Sequence, residues 1–323
     1  MKSMGQKILI GIVVLAAIVS VWWFVFPKET SEPSVQENHA GQEQNEPVRQ
    51  VVSHEALLLP SPDRPGVQIP AYLTVPSEDQ KEGPLPLVLM LHGYGSNHNE
   101  SGGFDAISEG LAQQGMIVVT LDFPGCGRST EAFSENTMTN MKSDVLAVLK
   151  EVCERYTIDE SHMGALGYSL GGRILLELTT EHRIELTAME LVAPAEDVND
   201  FKTMFGGPES WDDLKETAYQ TGTANYCGQE LKAEWFRDLE AYPDLAERAA
   251  EVYDGSALVV WSSDDRVVQP TVSQETAEAL GAHTLIIHSN GHGYSFHGAD
   301  PDAEAQVNGA SLAYFTRELQ TQR

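Results

Sequence analysis

The string Gly167-Tyr168-Ser169-Leu170-Gly171-Gly172 holds the residues best suited to covalent chemistry. An apolar run precedes it and a helical pattern follows it, the setting of a G-x-S-x-G nucleophile elbow. The glycines permit a strand-to-helix turn so tight that backbone crowds the flanking positions, and Ser169 then projects above the strand. A serine hydroxyl becomes an effective nucleophile when an imidazole removes its proton. The Gly-rich stretch Ser289-Asn290-Gly291-His292-Gly293 offers His292 late in the chain, with His297 as its rival five residues on. A carboxylate must orient that imidazole and stabilise the imidazolium. Ser262-Ser263-Asp264-Asp265-Arg266-Val267-Val268 supplies two adjacent candidates, Asp264 and Asp265. The oxyanion of an acyl-transfer intermediate needs two fixed donors. The backbone N–H of Leu170, directly after the serine, and that of Tyr94 in His92-Gly93-Tyr94-Gly95 are the candidates. His288, His292 and His297 lack a recognised metal-ligand spacing and no Walker-type phosphate loop is present, so neither a metal nor an organic cofactor is expected.

These groups need a scaffold, and short apolar runs alternating with helical patterns describe one. Residues 55–59 and 69–75 read as an opening antiparallel pair, and 86–92, 116–123, 162–168, 186–193, 256–263 and 283–289 as successive strands. Helices fit at about 104–114, 138–155, 170–182, 271–281 and 303–320. The expectation is an α/β architecture with a mostly parallel eight-stranded sheet flanked by helices. Between about 195 and 254 the alternation stops, and Phe201, Phe205, Trp211, Tyr226, Trp235 and Phe236 crowd a mixed segment. It is an insertion, a lid whose aromatic residues either form a small core of their own or face a substrate.

Of the 323 residues, 41% are hydrophobic, enough for one sizeable catalytic domain. The net charge of -28 repels phosphate backbones, which argues against nucleic acid as a partner. Cys126, Cys153 and Cys227 are too few and too scattered for a disulfide framework. Residues 8–26 carry no charge, and a helix of about 19 residues would extend roughly 28 Å, the thickness of a bilayer's hydrocarbon core. Lys2 and Lys7 precede this run and Trp22 and Trp23 lie near its far end. Residues 1–27 are therefore expected to form an N-terminal transmembrane anchor, with the catalytic domain outside the cytoplasm, a cleaved secretory signal being the alternative. Residues 28–50 are rich in Glu, Gln, Asn, Ser and Pro and read as a flexible linker, leaving 51–323 for the catalytic domain.

The ordered motifs HGYG, DFPGCGRS at 122–129, GYSLGG, SSDDRVVQP and GHGY resemble the α/β-hydrolase superfamily over about residues 55–320. That resemblance implies the α/β-hydrolase fold and a serine hydrolase with Ser169 as nucleophile, His292 as base and an aspartate as acid. In family strings resembling G-x-x-D-x-x-V the acid maps onto Asp264, with Trp261 in place of the glycine. The same string resembles the acid loop of prolyl oligopeptidases, which implies a substrate-binding role for Arg266. The whole order is also similar to bacterial cinnamoyl and feruloyl esterases, although Pro124-Gly125-Cys126-Gly127 stands where a PGHG-like string is common. Hydrolysis of a small-molecule carboxylic ester is the activity implied, against a peptidase or amidase of the same fold and a tethered binding protein that has lost catalysis. Acyl and alcohol specificity and oligomeric state are left open.

Overall fold

The computed structural model describes residues 52–77, 83–288, 291–293 and 300–320. The expected anchor, the expected linker and His297 lie outside the described residues. Among the described residues no helix is long and apolar enough to cross a membrane.

Eight strands form one sheet: β1 (Ser53–Pro60), β2 (Gln68–Val75), β3 (Leu85–Leu91), β4 (Ile117–Leu121), β5 (Ile158–Tyr168), β6 (Ala188–Val192), β9 (Ser256–Ser262) and β10 (His283–Ile287). Their spatial order is β1-β2-β4-β3-β5-β6-β9-β10. β2 pairs antiparallel with β1 and β4, and the remaining pairs are parallel. The parallel strands β4 and β6 are buried at every position, as strands covered on both faces must be, and this is why they read as unbroken apolar runs. The edge strand β1 instead alternates between exposed and more buried positions.

Helices cover both faces: α1 (Asp105–Gln113), α2 (Met138–Arg155), α3 (Leu170–Thr180), α8 (Pro270–Leu280) and α9 (Pro301–Leu319). Their starts are legible in local chemistry. The Thr137 side chain accepts the Asn140 N–H at the head of α2, the Asp300 carboxylate accepts N–H groups of Asp302 and Ala303 at the head of α9, and proline opens α8 and α9. Because β3, β5, β6, β9 and β10 are parallel, their C-terminal ends lie along one rim, where ligands of open α/β sheets bind. His92, Ser169, the Asp264–Asp265 pair and His292 all follow strands that end there.

The insertion between β6 and β9 contains α4 (Val198–Met204), α5 (Pro208–Thr221), α6 (Ala233–Glu240), α7 (Leu245–Ala250) and a hairpin of β7 (Thr223–Tyr226) and β8 (Gln229–Lys232). Its aromatic residues form a core of their own. Phe205, Trp211, Trp235 and Phe236 are at most 1% exposed, and their ring centroids lie 5.0 to 6.1 Å apart in tilted and edge-on pairs. Tyr94 docks beneath them, edge-on to Phe205 and Trp235, and its hydroxyl donates to Gln229 Oε1 at 2.7 Å.

Candidate active site

Ser169 stands between β5 and α3 with φ 52° and ψ -115°, a conformation rare for a residue with a side chain. The surroundings hold it there. Its N–H donates to the Val192 carbonyl at 2.9 Å, while its own carbonyl accepts N–H groups from Gly172, Arg173 and Ala195. The elbow also requires its glycines. A Cβ on Gly171 would lie 2.2 Å from the Leu91 carbonyl oxygen, and one on Gly167 would lie 2.6 Å from Gly172 Cα.

His292 Nε2 lies 3.1 Å from Ser169 Oγ, and His292 Nδ1 lies 2.8 Å from Asp265 Oδ2. The structure thus places Asp265, not the expected Asp264, against the imidazole. Asp265 is 3% exposed, and its other oxygen accepts the N–H groups of Val267 and Val268 at 2.8 and 3.1 Å, which aims the carboxylate inward. Asp264 is exposed and serves the loop, accepting from Ser262 Oγ at 2.6 Å and Gly291 N–H at 2.9 Å. The doubled Asp264-Asp265 and Val267-Val268 make both registers of the family string legal. The correct register puts the small Ser262, not Trp261, at the glycine position and buries Val268 at 1% exposure.

Leu170 opens α3, so its N–H is one of the first helical donors, which have no partner within a helix. Tyr94 lies in the loop after β3, beside Ser169: a Cβ on the adjacent Gly93 would come 3.5 Å from Ser169 Cβ. His92 supports that loop from below. Burial lowers its pKa to about 4, and Nε2 accepts the Phe123 N–H at 3.1 Å, so the ring proton resides on Nδ1 and is donated to the Gly93 carbonyl at 2.7 Å. Asp122, opening the DFPGCGRS motif, accepts backbone N–H groups from His98 and Arg128 and the Tyr72 hydroxyl. Burial opposes its ionisation, but these bonds outweigh burial and hold the carboxyl below its usual range.

Several solved structures have the same architecture. The chain is similar to Est1E from Butyrivibrio proteoclasticus, solved with ferulic acid bound, with a TM-score of 0.66 and 20% identity over 81% of this chain and 99% of that one. It is similar to the acylaminoacyl peptidase of Pyrococcus horikoshii, with a TM-score of 0.60 and 14% identity over 86% of this chain and 43% of that one. Residues 82–210 match the Hydrolase_4 family, described as serine aminopeptidase, S33. The chain has the α/β-hydrolase fold. By sequence the chain is 27% identical over 212 residues to the 2-hydroxy-6-oxononadienedioate/2-hydroxy-6-oxononatrienedioate hydrolase 1 of Pseudomonas putida, covering 56% of this chain and 72% of that protein.

Arg266 is exposed on the surface and takes part in no ion pair among the described residues. Among the described residues no group of three His, Cys, Asp or Glu side chains could hold a metal. Two surface clefts, of about 340 and 460 Å³, lie elsewhere and are lined by none of Ser169, His292 or Asp265. Ser169 itself is 7% exposed. Sequence reasoning missed Tyr168, whose hydroxyl donates to the His292 carbonyl at 2.5 Å and ties the histidine loop to the elbow. Its only signal was its place inside the G-x-S-x-G string.

Proposed function

We propose that the protein hydrolyses carboxylic esters through a covalent acyl-enzyme. The supporting observation is the continuous hydrogen-bonding path from Ser169 Oγ through His292 to Asp265, at 3.1 and 2.8 Å. Ser169 Oγ attacks the ester carbonyl as His292 Nε2 takes its proton. The oxyanion rests on the N–H groups of Tyr94 and Leu170. The C–O bond to the alcohol then breaks, and His292 returns its proton to the departing oxygen. A water molecule, deprotonated by His292, attacks the acyl carbonyl, and Ser169 leaves with the proton. Asp265 holds the imidazole in orientation and stabilises its cationic form throughout.

The likeness to Est1E with bound ferulic acid supports an ester over other acyl derivatives, and hydroxycinnamoyl esters belong in the first panel. A peptidase reading is supported by the serine aminopeptidase description of residues 82–210 and by the acylaminoacyl peptidase likeness. Matched ester and peptide substrates of short-acyl, long-acyl and hydroxycinnamoyl type, tested with Ser169→Ala as control, separate the two. Ester turnover falling by about 10³-fold or more in Ser169→Ala is the expected result. Ester turnover that survives the substitution would sink the mechanism, and peptide turnover matching that of esters would reverse the order of substrates.

A further inference from the structure

Glu100 is 3% exposed, in the loop that leaves the rim after β3. Its φ is 49° and that of Ser101 is 57°, two consecutive residues with side chains in the left-handed region. Such backbone persists only where the surrounding structure over-determines it, and it clusters at functional sites. Here it accompanies a carboxyl turned back onto the oxyanion loop, where Glu100 Oε2 accepts the Gly93 N–H at 2.8 Å. The other end of Gly93 is held as well. Its carbonyl accepts His92 Nδ1–H at 2.7 Å and the Ser96 N–H at 3.3 Å. A planar trans peptide points its C=O and N–H in opposite directions, so fixing the Gly93 carbonyl also fixes the direction of the Tyr94 N–H. The glycine lies close against the elbow, where a Cβ would sit 3.0 Å from Tyr168 Cδ1.

We infer that Glu100 is a positioning residue of the oxyanion site: by accepting the Gly93 N–H it fixes the His92–Gly93 peptide, and so anchors from behind the next peptide, whose Tyr94 N–H meets the tetrahedral intermediate. The inference rests on the acyl-transfer reading of Ser169. Reach, not charge, is what the role requires. Burial raises the Glu100 carboxyl above its ordinary range while the Gly93 bond opposes that rise, and a carbonyl oxygen accepts an N–H in either protonation state.

Two substitutions separate reach from charge. Glu100→Gln keeps the reach and loses the charge, whereas Glu100→Asp keeps the charge and withdraws the acceptor by one methylene, about 1.5 Å. Activity is measured on the full chain with the ester turned over by the unsubstituted protein, and kcat is expressed per site titrated by a serine-reactive phosphonate. Only folded, Ser169-competent molecules are then counted. Glu100→Gln should keep kcat within about threefold, while Glu100→Asp should lower it about 10- to 100-fold with KM little changed, the scale set by about 1 Å of misplacement. Affinity for a boronic acid, which forms a tetrahedral adduct on serine, should fall in parallel in Glu100→Asp. The reverse order of the two variants, or an Asp variant that loses thermal stability while keeping kcat per titrated site, would overturn the role. An unsubstituted protein without Ser169-dependent turnover would remove the parent reading instead.

Discussion

Asp265 and Asp264 differ by one position in the chain and by everything in their surroundings. Asp265 is buried, gripped by two backbone N–H groups and pressed against His292 Nδ1. Asp264 faces solvent and braces Gly291. An amide at 265 can present either an acceptor or a donor to the ring, so it no longer enforces the tautomer that leaves Nε2 free to accept the serine proton. Asp265→Asn should lower kcat/KM about 10³- to 10⁴-fold, whereas Asp264→Asn, which keeps an acceptor for the Gly291 N–H, should stay within about tenfold. Steady-state kinetics on both variants with one ester decide it, and equal losses would return the acid role to dispute. The identities of the serine and the histidine were legible because their types and glycine neighbours are distinctive. The acid was ambiguous because two aspartates and two valines fit the family string in either register, and burial, which chooses between them, is a property of the folded loop. Glu100 carried no such signal, since a glutamate in a polar, Gly-rich loop reads as solvated.

At the scale of elements, the sheet was legible for the reason that its parallel strands are covered on both faces, so each is a short apolar run with turn residues at its ends. The lid was less so. Its β7 and β8 are four residues long, mostly polar, and joined by Cys227-Gly228 with φ of 50° and 91°, a pair of positive values in which cysteine hides a turn that Asn-Gly would have announced. What fastens this insertion to the elbow is Arg173, fully buried on α3 one turn after Ser169. Its guanidinium donates to Glu177 at 2.8 Å, to the Glu196 carbonyl at 2.7 Å where the lid begins, and to the Leu239 carbonyl at 2.8 Å near the end of α6. Glu177 is shared with Lys142 at 2.9 Å, and Lys142 also pairs with Glu181. Arg173→Met fills the volume but strands two buried carbonyls and leaves Glu177 to Lys142 alone, a loss of about 3 kcal/mol. Urea unfolding should show that loss, and limited proteolysis should cut first between residues 198 and 250. A loss below about 1 kcal/mol with unchanged lid protection would mean that aromatic packing, not Arg173, holds the lid.

For the whole molecule, acidity dominates: 48 acidic against 20 basic side chains, with some of the acids in the interior. Glu190 lies in the middle of β6 with no exposure, one oxygen accepting Ser311 Oγ–H at 2.7 Å and the other without a hydrogen-bond partner among the described residues. Burial pushes its pKa up to about 8, and burial likewise raises Asp200 to about 7. A carboxyl that holds its proton in the folded state but releases it near pH 4.5 when unfolded makes the native chain the better proton binder. Stability from this source is therefore fully present below about pH 4.5 and is lost as pH rises through about 8. Glu190→Gln keeps an acceptor for Ser311 and removes the titration. Between pH 5 and pH 8 the unsubstituted protein should lose about 3 kcal/mol more than the variant in urea unfolding. Repulsion within a chain of net charge -28 also weakens the fold as pH rises, but that term acts on both proteins alike and is screened by salt. A difference in slope that persists at 1 M salt therefore belongs to Glu190, and parallel slopes would show that its proton is already lost at neutral pH.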